Sequence, residues 1–425
     1  RLLKSVDTNG VATEYTYKSD RLVRVEDDDG HVLNYEYEQG VLVRVTDETE
    51  GVLVEYNYSQ GRLVEVIDRY GHSTQYFYTN DGFLERVVLP AEQDADGDGV
   101  LETYETREIT FVYEEVNWHG GNAGQAKIVT QIIDAAGEIT SFDYDFNLVV
   151  SGGNNQRNNN EAPPLFYYGG TTRVVDALGN ARAFSNEQQY VDWRVANGYY
   201  ATYNPTLEEG DPGFFVQQTQ AESIRDAHSL YYTYSENGYL TEVIDQKGFH
   251  TTYEYDDQDN LIAVTDRNGW GVTNSDSSYF RALRAELGYT DLAGLGKLVA
   301  DLTQAELTAL REAYTSHFEY DERGNLIRSI ANEDNVTITT YTAFNKIESL
   351  IAPMGSALVT RNDQFYRDKR VELGYAADVS SLSTADKNEL IALYTTIYEY
   401  DANQNLIQRT DPGGDITRYE YDSFG

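Results

Sequence analysis

Polar and apolar residues alternate along this chain in short runs. At Tyr15-Thr-Tyr17, Tyr35-Glu-Tyr37 and Tyr56-Asn-Tyr58, two aromatics flank one polar residue, and an apolar pair, an Asp and a Gly follow each time: Leu22, Val25, Asp27 and Gly30; Leu42, Val45, Asp47 and Gly51; Leu63, Val66, Asp68 and Gly71. A fourth start lies at Tyr76 and Tyr78. After an irregular middle the phrase returns at Tyr232 and Tyr234, Tyr253 and Tyr255, Phe318 and Tyr320, Tyr398 and Tyr400, and Tyr419 and Tyr421. Residues two apart on a strand share a face, so Tyr-x-Tyr sets two rings side by side on a sheet. Gly accepts the positive φ of tight turns, and Asp can bond the backbone two residues on. Each phrase of about twenty residues therefore predicts a β-hairpin within a repeat architecture. About a dozen such hairpins span more than about 100 Å, too far for a twisting sheet to stay flat, so the ribbon must curl.

Four phrases carry a family likeness. Tyr253-Glu-Tyr-Asp-Asp-Gln-Asp-Asn-Leu261, Phe318-Glu-Tyr-Asp-Glu-Arg-Gly-Asn-Leu326, Tyr398-Glu-Tyr-Asp-Ala-Asn-Gln-Asn-Leu406 and Thr417-Arg-Tyr-Glu-Tyr-Asp-Ser-Phe-Gly425 closely resemble the YD repeats of the RHS family. That family includes bacterial polymorphic toxins, the BC subunits of insecticidal toxin complexes and the teneurins. The resemblance implies an all-β repeat: a spiral antiparallel hairpin sheet forming a hollow shell or barrel. In toxins such a shell encloses a C-terminal effector; in teneurins it supports cell adhesion. The core segment linked to autoproteolysis in the toxin branch has no match here.

Two short α-helical insertions interrupt the repeats. Phe280 to Tyr289 parallels Tyr366 to Tyr375, and Leu302 to Tyr314 parallels Leu382 to Tyr394. Each copy predicts two helices, the first ending near Gly288 or Gly374, the second starting at an N-cap, Thr303 or Ser383, with an acid three residues on. The chain then divides into repeat sheet (1–147), an irregular aromatic, Asn- and Pro-rich insertion with a partial repeat at Thr171 to Gly179 (148–230), repeats (231–276), a helical insertion (277–316), repeats (317–364), a second helical insertion (365–396) and repeats (397–425). This organisation reads as one continuous shell segment of a larger protein. Within the irregular part, Tyr199, Tyr200, Tyr203, Phe214 and Phe215 make 195–216 the best candidate for a binding surface.

The sharpest chemical signal interrupts the early repeats. Asp94, Asp96, Asp98, the Val100 carbonyl, Glu102 and Glu105 occupy positions 1, 3, 5, 7, 9 and 12 of an EF-hand calcium loop, with Gly99 at the sharp bend. Pro90 before the loop and the strand-like Thr110 to Tyr113 after it argue against flanking helices, so the expected role is a structural Ca2+ staple.

Charge and composition narrow the function further. With 71 acidic against 32 basic residues the net charge is −39, which repels nucleic acid. No apolar run is long enough for membrane insertion. The chain has no cysteine, and its six histidines show no paired metal spacing. No Gly-x-Ser-x-Gly elbow or phosphate-binding loop is present, and carboxylates are too abundant for any pair to single out a glycosidase dyad. The expectation is a non-enzymatic shell of a secreted or surface protein, extracellular or at the cell surface. It would encapsulate or display an attached domain of the same larger protein. The alternative is an adhesin that binds a glycan or a cell-surface protein.

Overall fold

The computed structural model describes residues 1–90, 107–117, 125–146, 170–235, 237–331 and 335–422. The chain forms two compact units, residues 1–53 with 253–425, and residues 54–252, and within each the described strands pair antiparallel with neighbours in chain order. This is the hairpin-repeat sheet with helical insertions that the polar and apolar alternation predicts.

In the first unit, the strand series runs from Leu261–Thr265 to Ile416–Tyr421 and continues into Leu2–Val6 and on to Val41–Asp47. The register explains the junction. Inside the first hairpin Tyr17 faces Leu22 and Tyr15 faces Val25, with a bulge beside Tyr17. Across the junction Tyr421 faces Leu2 and Tyr419 faces Ser5, again with a bulge at the same end. Leu2–Val6 thus supplies the second strand for the last Tyr-x-Tyr, and the Arg1 ammonium lies 3.2 Å from Asp422. In the second unit the series runs from Arg62–Asp68 to Leu240–Ile244.

The turns follow from their side chains. Asp401 accepts the amides of Asn403 and Asn405 at 2.8 and 2.9 Å and the Asn405 side-chain amide at 3.0 Å. Asp256 and Asp321 repeat this arrangement with Asn260 and Asn325, so the Tyr-Asp and Asn-Leu ends of the phrase are two halves of one turn. At Asp245 the same acceptor precedes Gly248, whose φ of +76° is the conformation that excludes most side chains.

Three helical insertions are present among the described residues, where the sequence predicts two. The first comprises α1 (Ala177–Phe184), α2 (Gln188–Ala196) and α3 (Phe214–Asp226). The second comprises α4 (Arg267–Asn274), α5 (Ser278–Glu286) and α6 (Gln304–Glu312), and the third α7 (Pro353–Thr360), α8 (Gln364–Glu372) and α9 (Thr384–Ala392). The predicted capping boxes at Thr303 and Ser383 are formed, but each insertion holds three helices rather than two. In the first and second insertions the leading helix starts on a phrase that imitates a hairpin turn, whereas in the third it starts at Ala352-Pro353. In Asp266-Arg-Asn-Gly269 the Asp266 carboxylate accepts the amides of Asn268 and Gly269 as a helix N-cap. Gly269 is needed there for closeness, because a Cβ would stand 3.2 Å from that of Tyr314. Asp176 caps α1 through Gly179 in the same way, so Thr171 to Gly179 is a strand leading into a helix and not a hairpin.

Most strand residues are half-buried, whereas full burial concentrates where helices cover the sheet: Ala183, Ala221 and Ile224 in the first insertion, Ala357, Leu358 and Leu390 in the third. Packing of an amphipathic face on the sheet, rather than helix propensity, holds such short helices in place.

Candidate functional site

Six tyrosine hydroxyls are engaged in the sheet. The second ring of a phrase donates to a backbone carbonyl of the preceding hairpin at 2.8 or 2.9 Å in six places: Tyr78 to Leu63, Tyr113 to Leu84, Tyr144 to Val129, Tyr320 to Leu261, Tyr341 to Leu326 and Tyr400 to Ile347. Burial raises the hydroxyl pKa of Tyr113, Tyr320, Tyr341 and Tyr400, as expected of neutral donors in the sheet.

Each helical insertion is built on one fully buried arginine. Arg370 donates to the carbonyls of Leu358, Arg361 and Ala377 and to Asn362 Oδ1, at 2.7 to 2.9 Å. Arg194 makes the equivalent bonds to Arg182, Ser185, Ala201 and Asn186, and Arg284 to Val272, Ser275 and Asp276. The guanidinium fork thus collects carbonyls that the C-terminal end of the first helix leaves unpaired. Burial pushes all three below the usual arginine range, but that range is high enough that they stay charged.

The first insertion carries an ion cluster that the third lacks. Arg225 reaches Glu222 Oε1 at 2.6 Å, Asp143 Oδ2 at 3.0 Å and Ser141 Oγ at 3.2 Å. Arg173 reaches Glu222 Oε2 at 2.7 Å and Asp226 at 2.9 Å. Although burial opposes it, hydrogen bonds from Arg173 and Arg225 hold Glu222 below its ordinary pKa. Buried Asn180 donates to the Ile139 carbonyl at 2.7 Å and to Ser141 Oγ at 3.1 Å. Beside this cluster a cavity of about 600 Å³ opens between α1, α3 and the strands Arg107–Asn117, Gln125–Ile133 and Ile139–Phe146.

The RHS repeat family model matches residues 234–269 and 400–425, which hold the turns at Asp245, Asp256 and Asp401. The chain carries RHS repeats. No curated protein sequence matches it. Among solved structures it is similar to TcdB2-TccC3-Cdc42, at 11% identity and a TM-score of 0.34 over 95% of this chain and 15% of that one. It is similar to TcdB2-TccC3 at 13% identity and a TM-score of 0.34, over 96% of this chain and 16% of that one. A Tc holotoxin pore of Photorhabdus luminescens gives 12% identity and a TM-score of 0.27, over 98% of this chain and 21% of that one. The RHS chain therefore spans at most about a fifth of these chains. At such loose superposition the fold rests on the strand register alone.

The proposed calcium ligands Asp94, Asp96, Asp98, Val100, Glu102 and Glu105 lie outside the described residues. Among the described residues no group of three or more His, Asp or Glu side chains could hold a metal ion, and no helix is long and apolar enough to cross a membrane. Within the stretch 195–216, Tyr199, Tyr200 and Tyr203 are half-buried and packed against the first insertion, while most of the other residues are exposed. Tyr199 stacks on Trp193 at 5.9 Å, Tyr203 meets Phe184 at 5.0 Å, and Tyr200 donates to the Ala183 carbonyl, with burial pushing its hydroxyl up to about 12. Phe215 remains 63% exposed. Sequence reasoning missed the Arg173, Glu222 and Arg225 cluster. It also missed the first insertion, whose signal was present: Trp193-Arg-Val-Ala-Asn-Gly-Tyr199 repeats the Arg-x-x-x-Gly-Tyr spacing of 284–289 and 370–375.

Proposed function

We propose that this RHS-repeat chain is a non-catalytic structural shell of a larger extracellular protein, and that it encloses or displays a domain encoded outside this segment. The observation that carries the reading is the ladder of tyrosine hydroxyls bonded to carbonyls of the preceding hairpin. It commits six tyrosine hydroxyls to holding the repeats together. The arginine of each helical insertion does the same for the covering helices. The net charge of −39 keeps such a surface soluble and away from anionic partners. The test is limited proteolysis of this segment expressed with the sequence that follows it in its natural reading frame. A following domain that resists protease beside the intact repeats, and is cut readily when expressed alone, supports enclosure. Equal cleavage in both forms refutes it. Binding on a glycan array that disappears on deletion of 195–216 would instead favour the adhesin reading.

The loop at 94–105 is proposed as a Ca2+ staple within this shell, on the strength of its ligand spacing. Calcium should raise the melting temperature, and the Asp94→Ala, Glu105→Ala variant should lose that rise. A variant that melts like the parent in both calcium and chelator would remove the assignment.

A further inference from the structure

The seam that closes the first insertion differs from the other two. In all three, the amide just before the leading helix donates to a carbonyl just after the last one: Asp176 to His228 at 3.1 Å, Asp266 to Tyr314 at 3.1 Å and Ala352 to Tyr394 at 2.9 Å. Six residues past that amide, the carbonyls of Arg182, Val272 and Leu358 each accept from the buried arginine of their insertion. These bonds set His228 where the other insertions have tyrosine, and Arg182 where they have the fully buried Val272 and Leu358. The two replacements meet, with Arg182 Nη1 at 2.8 Å from His228 Nε2. Gly179 lets α1 come this close, since a Cβ there would collide with the Cβ of His228. The Arg182 guanidinium also lies over the Trp193 ring at 4.3 Å, so one contact joins α1, α2 and the end of α3.

The chemistry of this pair fixes the proton on the ring. A guanidinium has donors and no acceptor, so Nε2 must accept, and the imidazole proton sits on Nδ1, which faces Asp176 at 3.5 Å. A second proton can be added only at Nε2, on the side of Arg182. It would set two donors and two positive charges against each other around a ring only 13% exposed. Asp176 does not offset this, because it faces the nitrogen that carries a proton in both states and already accepts the Gly179 amide and the Gln246 side chain, each at 2.7 Å. The other charges on the neighbouring elements have partners or lie in solvent. At the end of α3, Arg225 is bonded to Glu222 and Asp143, and Asp226 to Arg173; in the turn that carries Gln246, Asp245 accepts the amides of Lys247 and Phe249, and Lys247 is exposed.

We propose that Arg182 and His228 form an acid-sensitive latch that holds the first helical insertion closed. The closed latch admits only the neutral ring, whereas the open one admits both forms. The open state therefore binds more protons, and closure weakens as pH falls. An imidazole in water takes up its proton at about pH 6.5, so the latch is shut at neutral pH and lets go as the medium passes below that value. The fold itself does not require the device, since tyrosine with valine or leucine builds the same seam in the other two insertions. Both side chains and every group that faces them lie in the second unit, so the latch acts whether or not the chain encloses a domain.

The test is segment-resolved amide hydrogen exchange of the whole 425-residue chain at about pH 7.5 and about pH 5, corrected for the intrinsic exchange rate at each pH. Protection across 177–196 should fall about tenfold at the lower pH, while 353–394, which holds no histidine, keeps its own. The Arg182→Leu, His228→Tyr variant gives the seam the residues of the third insertion. His228→Gln keeps an acceptor for Arg182 that takes up no proton. In both variants the protection of 177–196 should be the same at the two pH values. Three results would overturn the proposal: a parent equally protected across 177–196 at both pH values, an equal loss across 353–394, or a loss that persists in either variant whose protection at about pH 7.5 matches the parent.

Discussion

Replacing Arg370 by Met isolates what the buried arginine contributes. The two side chains are similar in length, so the cavity left behind is small, but five hydrogen bonds disappear. The carbonyls of Leu358, Arg361 and Ala377 and the Asn362 side chain lose their donor in a site with no measurable exposure at Arg370. An orphaned buried polar group costs about 1–3 kcal/mol. Removal of the buried charge returns part of that sum, which leaves a net loss of about 3–5 kcal/mol. Arg370→Lys should lose less, about 2 kcal/mol, because an ammonium keeps three donors but cannot span the fork. A chain of two units need not melt in one step, so the decisive assay is amide hydrogen exchange resolved by segment. Exchange across 353–394 should accelerate by a factor of more than about 100, while 12–47 stays protected. The reasoning fails if Arg370→Met leaves 353–394 as protected as the parent. It also fails if Arg284→Met proves the more damaging change, since Arg284 makes fewer bonds, leaves its Nε unpartnered and shares its charge with Asp276.

Two further predictions concern the sheet and the caps. Tyr341→Phe deletes the 2.9 Å bond to the Leu326 carbonyl and should cost about 1 kcal/mol in denaturant unfolding, whereas Tyr70→Phe, at a ring 73% exposed, should cost nothing measurable. Glu306, held at about 2 by hydrogen bonds from Lys297 and the Thr303 amide and hydroxyl, has its folded pKa below its unfolded value near 4.5. Its contribution is therefore complete above about pH 5 and lost as pH falls towards 2. Amide protection at the start of α6 should fall over that window in the parent and be weaker and flatter in Glu306→Gln.

The strand pattern was legible because its causes are local. Tyr-x-Tyr, the turn Asp and the positive-φ Gly each act within a few residues of themselves, and the two capping boxes do too. What escaped the sequence depends on distant partners. Asp-x-x-Gly reads alike at Asp245, where the Gly takes a left-handed turn, and at Asp266, where it lets a helix approach Tyr314. The outcome is decided by whether apolar residues downstream can cover the sheet. Arg173 and Arg225 lie far apart in sequence, and only the pairing of Gly170–Val175 with Ser229–Tyr234 brings them to the same carboxylate. The first insertion was hidden by its composition, since Asn, Gln and Trp stand where the later copies have more regular helix formers.

The strand Leu2–Val6 completes the last Tyr-x-Tyr from the far end of the chain, and this has a kinetic meaning. Every other hairpin that a single turn connects closes a loop of about twenty residues, whereas the contact between Arg1 and Asp422 spans 421. For an unfolded connector the extra closure entropy is about 3 kcal/mol, so local hairpins form first and this pairing only becomes affordable once they have shortened the path between the ends. The same asymmetry acts in reverse during unfolding. The junction of Ile416–Tyr421 with Leu2–Val6 is therefore expected to assemble last and part first, although it pairs through an ordinary antiparallel register, and pulse-labelling hydrogen exchange in which its amides gain protection together with those of the local hairpins would refute this order.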